Sequence, residues 1–145
     1  MEFTNPQEAE AKVAARYRVF FILWVAMMVS LLFLLCLAVF VQGSGRSNRT
    51  MSYAFFAISM VLVIASLLIK QRQLRQAIEN RQVALLQNAY ILGFALCEAA
   101  GLFGLLDHFV TGSSNYRFMF ALAVLGMLVH FPQKDHVRAV SYKQF

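Results

Sequence analysis

Apolar residues fall in four long blocks separated by short polar stretches. Residues 19–41 and 51–69 carry no charged side chain. Residues 84–106 carry one, Glu98, and residues 116–131 carry Arg117 near their start. A helix needs about 20 apolar residues to cross a hydrocarbon core of ~30 Å. The first three blocks therefore predict membrane-spanning helices. The fourth has 16 residues and covers only ~24 Å at 1.5 Å per residue, so it spans by thinning the bilayer or by using its flanks.

The flanks supply boundaries. Thr50 or Ser52 can cap the second helix, and Ser114 or Asn115 can start the fourth. Gly112 can end the third. Pro132 stops the fourth, because proline disfavours helical geometry in the residue before it. Residues 70–83 lack Gly and Pro and favour helix, so the second helix should continue past the membrane surface and turn near Asn80. Residues 1–16 are polar, with Ala and Glu, and predict a separate amphipathic helix on the surface. The first block is longer than the 7–15 residues of a leader's apolar region, and no A-x-A site follows it. It reads as a retained span.

Composition narrows the class. The chain has 145 residues, 60% hydrophobic and 14% charged. Soluble domains carry roughly 45–50% apolar and about 25% charged residues. The excess excludes a soluble enzyme domain, a disordered tail and a disulfide scaffold. Cys36 and Cys97 lie inside apolar runs with no CxxC partner. The net charge of +6 would suggest nucleic acid in a soluble protein. Here the basic residues flank apolar blocks, as insertion rules and anionic headgroups favour. The lipid bilayer, not nucleic acid, is the expected partner. Ten basic residues fall in the N-terminal segment, the 70–83 connector and the C-terminal tail, against three (Arg46, Arg49 and Arg117) in the alternate loops. The expected fold is an all-α bundle of four transmembrane helices in the cell membrane, forming one domain with both termini cytoplasmic.

Glu98 is the most informative residue. A charged acid at mid-membrane costs roughly 2.5–3.5 kcal/mol on insertion scales. It needs a partner or a cavity, and no Lys or Arg lies at that depth. Ser30, Ser59 and Ser66 are the candidate partners; His130 lies too far toward the cytoplasmic end. Two readings stay open: an ion-binding carboxyl, or a neutral, hydrogen-bonded structural one. Beside it Ala89, Gly93, Cys97 and Gly101 recur every four residues, with Ala100 and Gly104 on the same side. Small residues at this spacing let helices approach closely. At 100° per residue the stripe centres roughly 120° from Glu98, so the acid points beside the packing face.

The stretch ILGFALCEAAGLFGLL, residues 91–106, resembles the carboxylate helix of the ATP synthase proteolipid, subunit c. Gly93, Ala95, Leu96, Glu98, Ala99, Phe103, Gly104 and Leu105 match its pattern, and Arg81-Gln82 resembles its polar loop. The resemblance implies that Glu98 carries a proton or sodium ion in a ring of copies. It covers residues 81–106 only. The family's glycine-rich inner helix has no counterpart, since residues 51–69 contain no Gly.

Other chemistry is thin. Asp107 and His108 are neighbours that point to different helix faces and read as solvated residues at the outer end of the third span. His108, His130 and His136 lack metal-ligand spacing. No catalytic residues, cofactor or metal are expected. The sequence thus suggests a small non-enzymatic membrane protein, an accessory or scaffold subunit that contacts other membrane subunits or itself through the stripe. Ion carriage by Glu98 is the alternative, and a small transporter or channel with Glu98 on a water-filled path is a third class.

Overall fold

The computed structural model describes residues 6–43 and 45–141. Lys143, counted above with the basic tail, lies outside them. Five helices follow in order: α1 (Pro6–Phe40), α2 (Arg49–Asn80), α3 (Val83–Thr111), α4 (Tyr116–Val129) and α5 (Lys134–Ser141). Three contain stretches long and apolar enough to cross a membrane: Glu10–Phe40, Arg49–Asn80 and Val83–Thr111. This is an α-helical membrane protein. The 14 residues of α4 form a shorter apolar helix.

The three long helices outrun their apolar blocks, whereas α4 stops at Val129, two residues short of the expected 131. The polar N-terminal stretch is not a separate surface helix; from Pro6 onward it is the first part of α1. Proline is tolerated there because first-turn N–H groups have no intrahelical partner. The start of α2 is capped by Asn48, not by Thr50 or Ser52. Asn48 has extended backbone (φ −133°, ψ 96°), and its side chain accepts a hydrogen bond from the Met51 N–H at 3.2 Å. At the other end α2 continues unbroken to Asn80, where Arg81 adopts the left-handed region (φ 52°) and returns its N–H to the carbonyls of Ala77 and Ile78. α3 runs five residues past its apolar block, to Thr111, and Gly112 (φ 61°) ends it as expected.

α3 is the axis of the bundle. Its most apolar stretch is 44% buried, against 22% for α2 and 11% for α1. Ala89, Gly93, Cys97, Ala100, Gly101 and Gly104 are all buried. The Ser59 hydroxyl donates to the Ala100 carbonyl at 3.2 Å, which sets the antiparallel register of α2 and α3. Trp24 Nε1 donates to the Met127 carbonyl at 2.8 Å and ties α1 to α4.

Candidate functional site

The Glu98 carboxylate accepts a hydrogen bond from the Ser30 hydroxyl of α1. Of the three serines at candidate depth, Ser30 is therefore the partner. The Ser59 hydroxyl serves Ala100. The Ser66 hydroxyl donates to its own helix at the Val63 carbonyl, at 2.7 Å. Glu98 itself is half-buried, on the side of α3 that meets α1.

The small-residue stripe faces this chain's own helices. A Cβ at Gly101 would collide with Leu31 of α1 and lie 3.6 Å from Phe120 of α4. At Gly104 it would meet Met119 and Phe120 at 3.1–3.4 Å. At Gly93 it would fall inside the imidazole of His130. Gly126 returns the arrangement from α4, pressed against Cys97 and Val63. The stripe brings α1 and α4 onto α3 and is buried within the bundle. A surface for other subunits has to be found elsewhere.

A polar cluster that spacing gave no sign of lies toward the α5 end. His130 is fully buried. Its Nδ1 is 2.7 Å from the Gly126 carbonyl, and its Nε2 is 3.4 Å from the Ser66 carbonyl. Cys97 Sγ stands 3.9 Å from His130 Nδ1 and 3.5 Å from the Ser66 hydroxyl. Lys70 donates to the Val129 carbonyl at 3.2 Å and lies over the Tyr90 ring. The buried Tyr90 hydroxyl accepts from the Gln133 N–H at 3.3 Å and meets His136 Nδ1 at 2.8 Å. With Nδ1 unprotonated, the phenol donates its own proton to His136 while accepting from Gln133. Burial pushes the His136 pKa below the ordinary imidazole value. Nearby Lys70 lowers it further, and Asp135 acts in the opposite sense.

At the opposite end Asp107 and His108 differ from expectation. Both belong to α3, and Asp107 is fully buried. The helix continues through them, and the Thr111 hydroxyl shares its one proton between the Asp107 carbonyl and its Oδ1, each 2.8 Å away. His108 Nε2 lies 2.8 Å from the Val41 carbonyl, and its ring packs on Tyr116. The signal available in the sequence was the i, i+4 pair Asp107–Thr111, a spacing at which helical side chains meet.

Among the described residues no three His, Cys, Asp or Glu side chains cluster as metal ligands. No protein-family model, curated protein or solved structure matches the chain.

Proposed function

We propose that the chain is a non-enzymatic, four-span protein of the cell membrane that serves as an accessory or scaffold subunit. The observation that carries this reading is α1: a long apolar helix that the bundle covers on only 11% of its most apolar stretch. Ile22, Val29, Phe33 and Phe40 are exposed along it, at 59–83%. Its polar ties to the bundle at membrane depth are Ser30 to Glu98 and Trp24 to Met127. Exposed apolar area of this extent is what a partner's helices or lipid would cover. With the stripe buried, α1 is the least covered of the three long helices.

The fourth span rests on depth. Asn115, just before α4, donates to Ser52 of α2 at 3.0 Å, and Val129, at its end, accepts from Lys70 of α2. From Ser52 to Lys70 α2 rises ~27 Å, close to the hydrocarbon thickness. α4 with its flanks therefore covers the same depth as a spanning helix. The same ties support a shared side for both termini. Lys70, Tyr90–His136 and the Glu10–Arg138 ion pair at 3.0 Å gather the start of α1, the basic half of α2 and α5 at one end. The excess of basic residues makes that end cytoplasmic.

The second reading is ion carriage by Glu98, favoured by a half-buried mid-span carboxylate whose hydrogen bond comes from a neutral hydroxyl and by the proteolipid-like stretch around it. Native mass spectrometry of the gently solubilised protein tests both. One copy bound to unrelated subunits supports the accessory reading, and a homo-oligomeric ring supports ion carriage. A bare monomer under conditions that preserve known complexes would overturn the accessory reading.

A further inference from the structure

One side of α2 changes chemistry along its length. Val61, Ile64 and Leu68 are exposed there, and so are Gln71, Arg72 and Arg75 on the next two turns. At 100° per residue these six fall within a sector of roughly 100°. Ser59, Ser66 and Ala77, which α2 buries in the bundle, centre on the opposite side. The sector therefore faces away from the rest of the chain.

Its depth matches one leaflet of a bilayer. The uncharged stretch of α2 ends at Ile69. From Val61 to Leu68 the helix rises about 10 Å, against a leaflet's hydrocarbon half-thickness of ~15 Å. Arg72 stands ~4.5 Å and Arg75 ~9 Å beyond Ile69, at the level of the headgroup layer, which is roughly 5–8 Å deep on each side. A recess of about 260 Å³ is lined by Leu68, Gln71, Arg72 and Arg75. It straddles the boundary between the apolar part of the sector and the basic part.

The positive charge at this boundary is unpaired. Among the described residues the guanidinium groups of Arg72 and Arg75 make no ion pair and no hydrogen bond. The one acid of α2, Glu79, lies a turn beyond Arg75 and pairs with neither. Lys70 belongs to the other side, bonded to the Val129 carbonyl and lying over the Tyr90 ring. A guanidinium presents a planar fork of donors that matches two phosphate oxygens at once. An acyl chain in turn covers exposed aliphatic side chains in line with them.

We propose that this sector holds one anionic phospholipid. Arg72 and Arg75 bind the headgroup phosphate, the Gln71 amide donates to an oxygen beside it, and an acyl chain runs along Leu68, Ile64 and Val61. Two unpaired positive charges favour a phosphate whose negative charge is not already balanced within its own headgroup. The site lies wholly on α2 and depends neither on the accessory reading nor on ion carriage by Glu98.

The test is native mass spectrometry of the full-length protein in a neutral detergent. It is titrated with phosphatidylglycerol or with phosphatidylcholine of the same acyl chains. One phosphatidylglycerol should be retained per chain, with an affinity about thirtyfold above that of phosphatidylcholine, as two basic residues beside an anionic headgroup give. Arg72→Gln combined with Arg75→Gln should bring phosphatidylglycerol down to the phosphatidylcholine level. Arg18→Gln combined with Arg81→Gln removes the same charge at the same end but outside the sector. It should weaken binding about threefold at most, because salt screens more distant charges. Phosphatidylglycerol should also raise the melting temperature, followed by Trp24 fluorescence, in a saturable way, and the Arg72 and Arg75 pair of changes should remove that rise. The comparison of the two lipids on the wild type stands on its own if a variant does not fold. Equal retention of the two lipids overturns the proposal. Equal losses in the two variant pairs overturn it as well, by showing diffuse attraction to the basic end. An adduct of inorganic phosphate as strong as that of the lipid would assign the arginines to a free anion and also overturn it.

Discussion

Gly93 and His130 share one space: a Cβ built on Gly93 would lie 2.7 Å from His130 Nε2. His130 Nδ1 donates to the Gly126 carbonyl at 2.7 Å, so the ring cannot step aside without breaking a buried bond. Gly93 is therefore fixed by a side chain 37 positions away, not by a turn or a left-handed backbone.

Gly93→Ala should destabilise the bundle by about 1–3 kcal/mol, the usual cost of overpacking a core, and Gly93→Leu should abolish folding. Gly101→Leu should act in the same way through Leu31 and Phe120. Melting in detergent, followed by the fluorescence of Trp24, checks this. The chain has one Trp, and its bond to Met127 makes it a probe of α1 docking on α4. Variants that melt like wild type yet fail to associate would return the stripe to a role between chains.

Ser30→Ala removes the hydroxyl that donates to Glu98. The expected loss is about 0.6–2 kcal/mol, the range for hydrogen bonds in membranes. Glu98→Gln keeps an acceptor oxygen for Ser30 and should cost less. Equal or larger loss in Glu98→Gln would mean that the negative charge itself holds α1 in place.

Ion carriage by Glu98 carries its own expectation. A hydrophobic carbodiimide should modify Glu98 in a pH-dependent manner, Glu98→Gln should abolish the adduct, and Asp107→Asn should leave it unchanged. Peptide mapping by mass spectrometry reads the result. An unmodified Glu98 across mildly acid and neutral pH would remove this reading.

The docking of α5 should weaken in acid. The folded-state pKa of His136 lies below its unfolded value of about 6.5. The unfolded or undocked state thus binds more protons in that window, and stability rises with pH there. The contribution of the Tyr90–His136 bond is complete above the unfolded value and is lost as pH falls through the folded one. Protonated Nδ1 would turn from acceptor to donor and face a phenol that already accepts from Gln133. Protection factors in residues 134–140, which divide out the pH dependence of intrinsic exchange, should fall on acidification. Tyr90→Phe should show fast exchange at neutral pH. A Tyr90→Phe variant with wild-type protection would show that the bond does not hold α5.

The apolar blocks carried the three long helices plainly, because lipid-facing and core-facing positions are both apolar in a membrane bundle. The turn near Asn80 and the stop at Gly112 were legible from their own signals, whereas the cap at Asn48 was not. Hydropathy marks where the bilayer stops, whereas Asn48, Arg81 and Thr111 set where the backbone hydrogen bonds stop. Spacing separated Glu98 from the stripe and offered Ser30 among its partners, since both follow from one helical wheel and simple depth. It could not pair Tyr90 with His136 or His130 with Gly93. Those contacts join elements 46 and 37 positions apart and depend on how α4 and α5 fold back. Asp107 stands at the edge of an apolar block, where exposure is the ordinary outcome, yet it is fully buried.

The most direct measurement of the accessory reading is photo-crosslinking in native membranes from a benzoylphenylalanine placed at Phe33 or at Ile22, which are 63% and 65% exposed on α1. Both positions should give discrete adducts to another polypeptide of fixed mass, stronger than those from Leu68 on α2, which is equally exposed at 61%. Adducts to lipid alone at Phe33 and Ile22 would contradict the claim that α1 is a contact face.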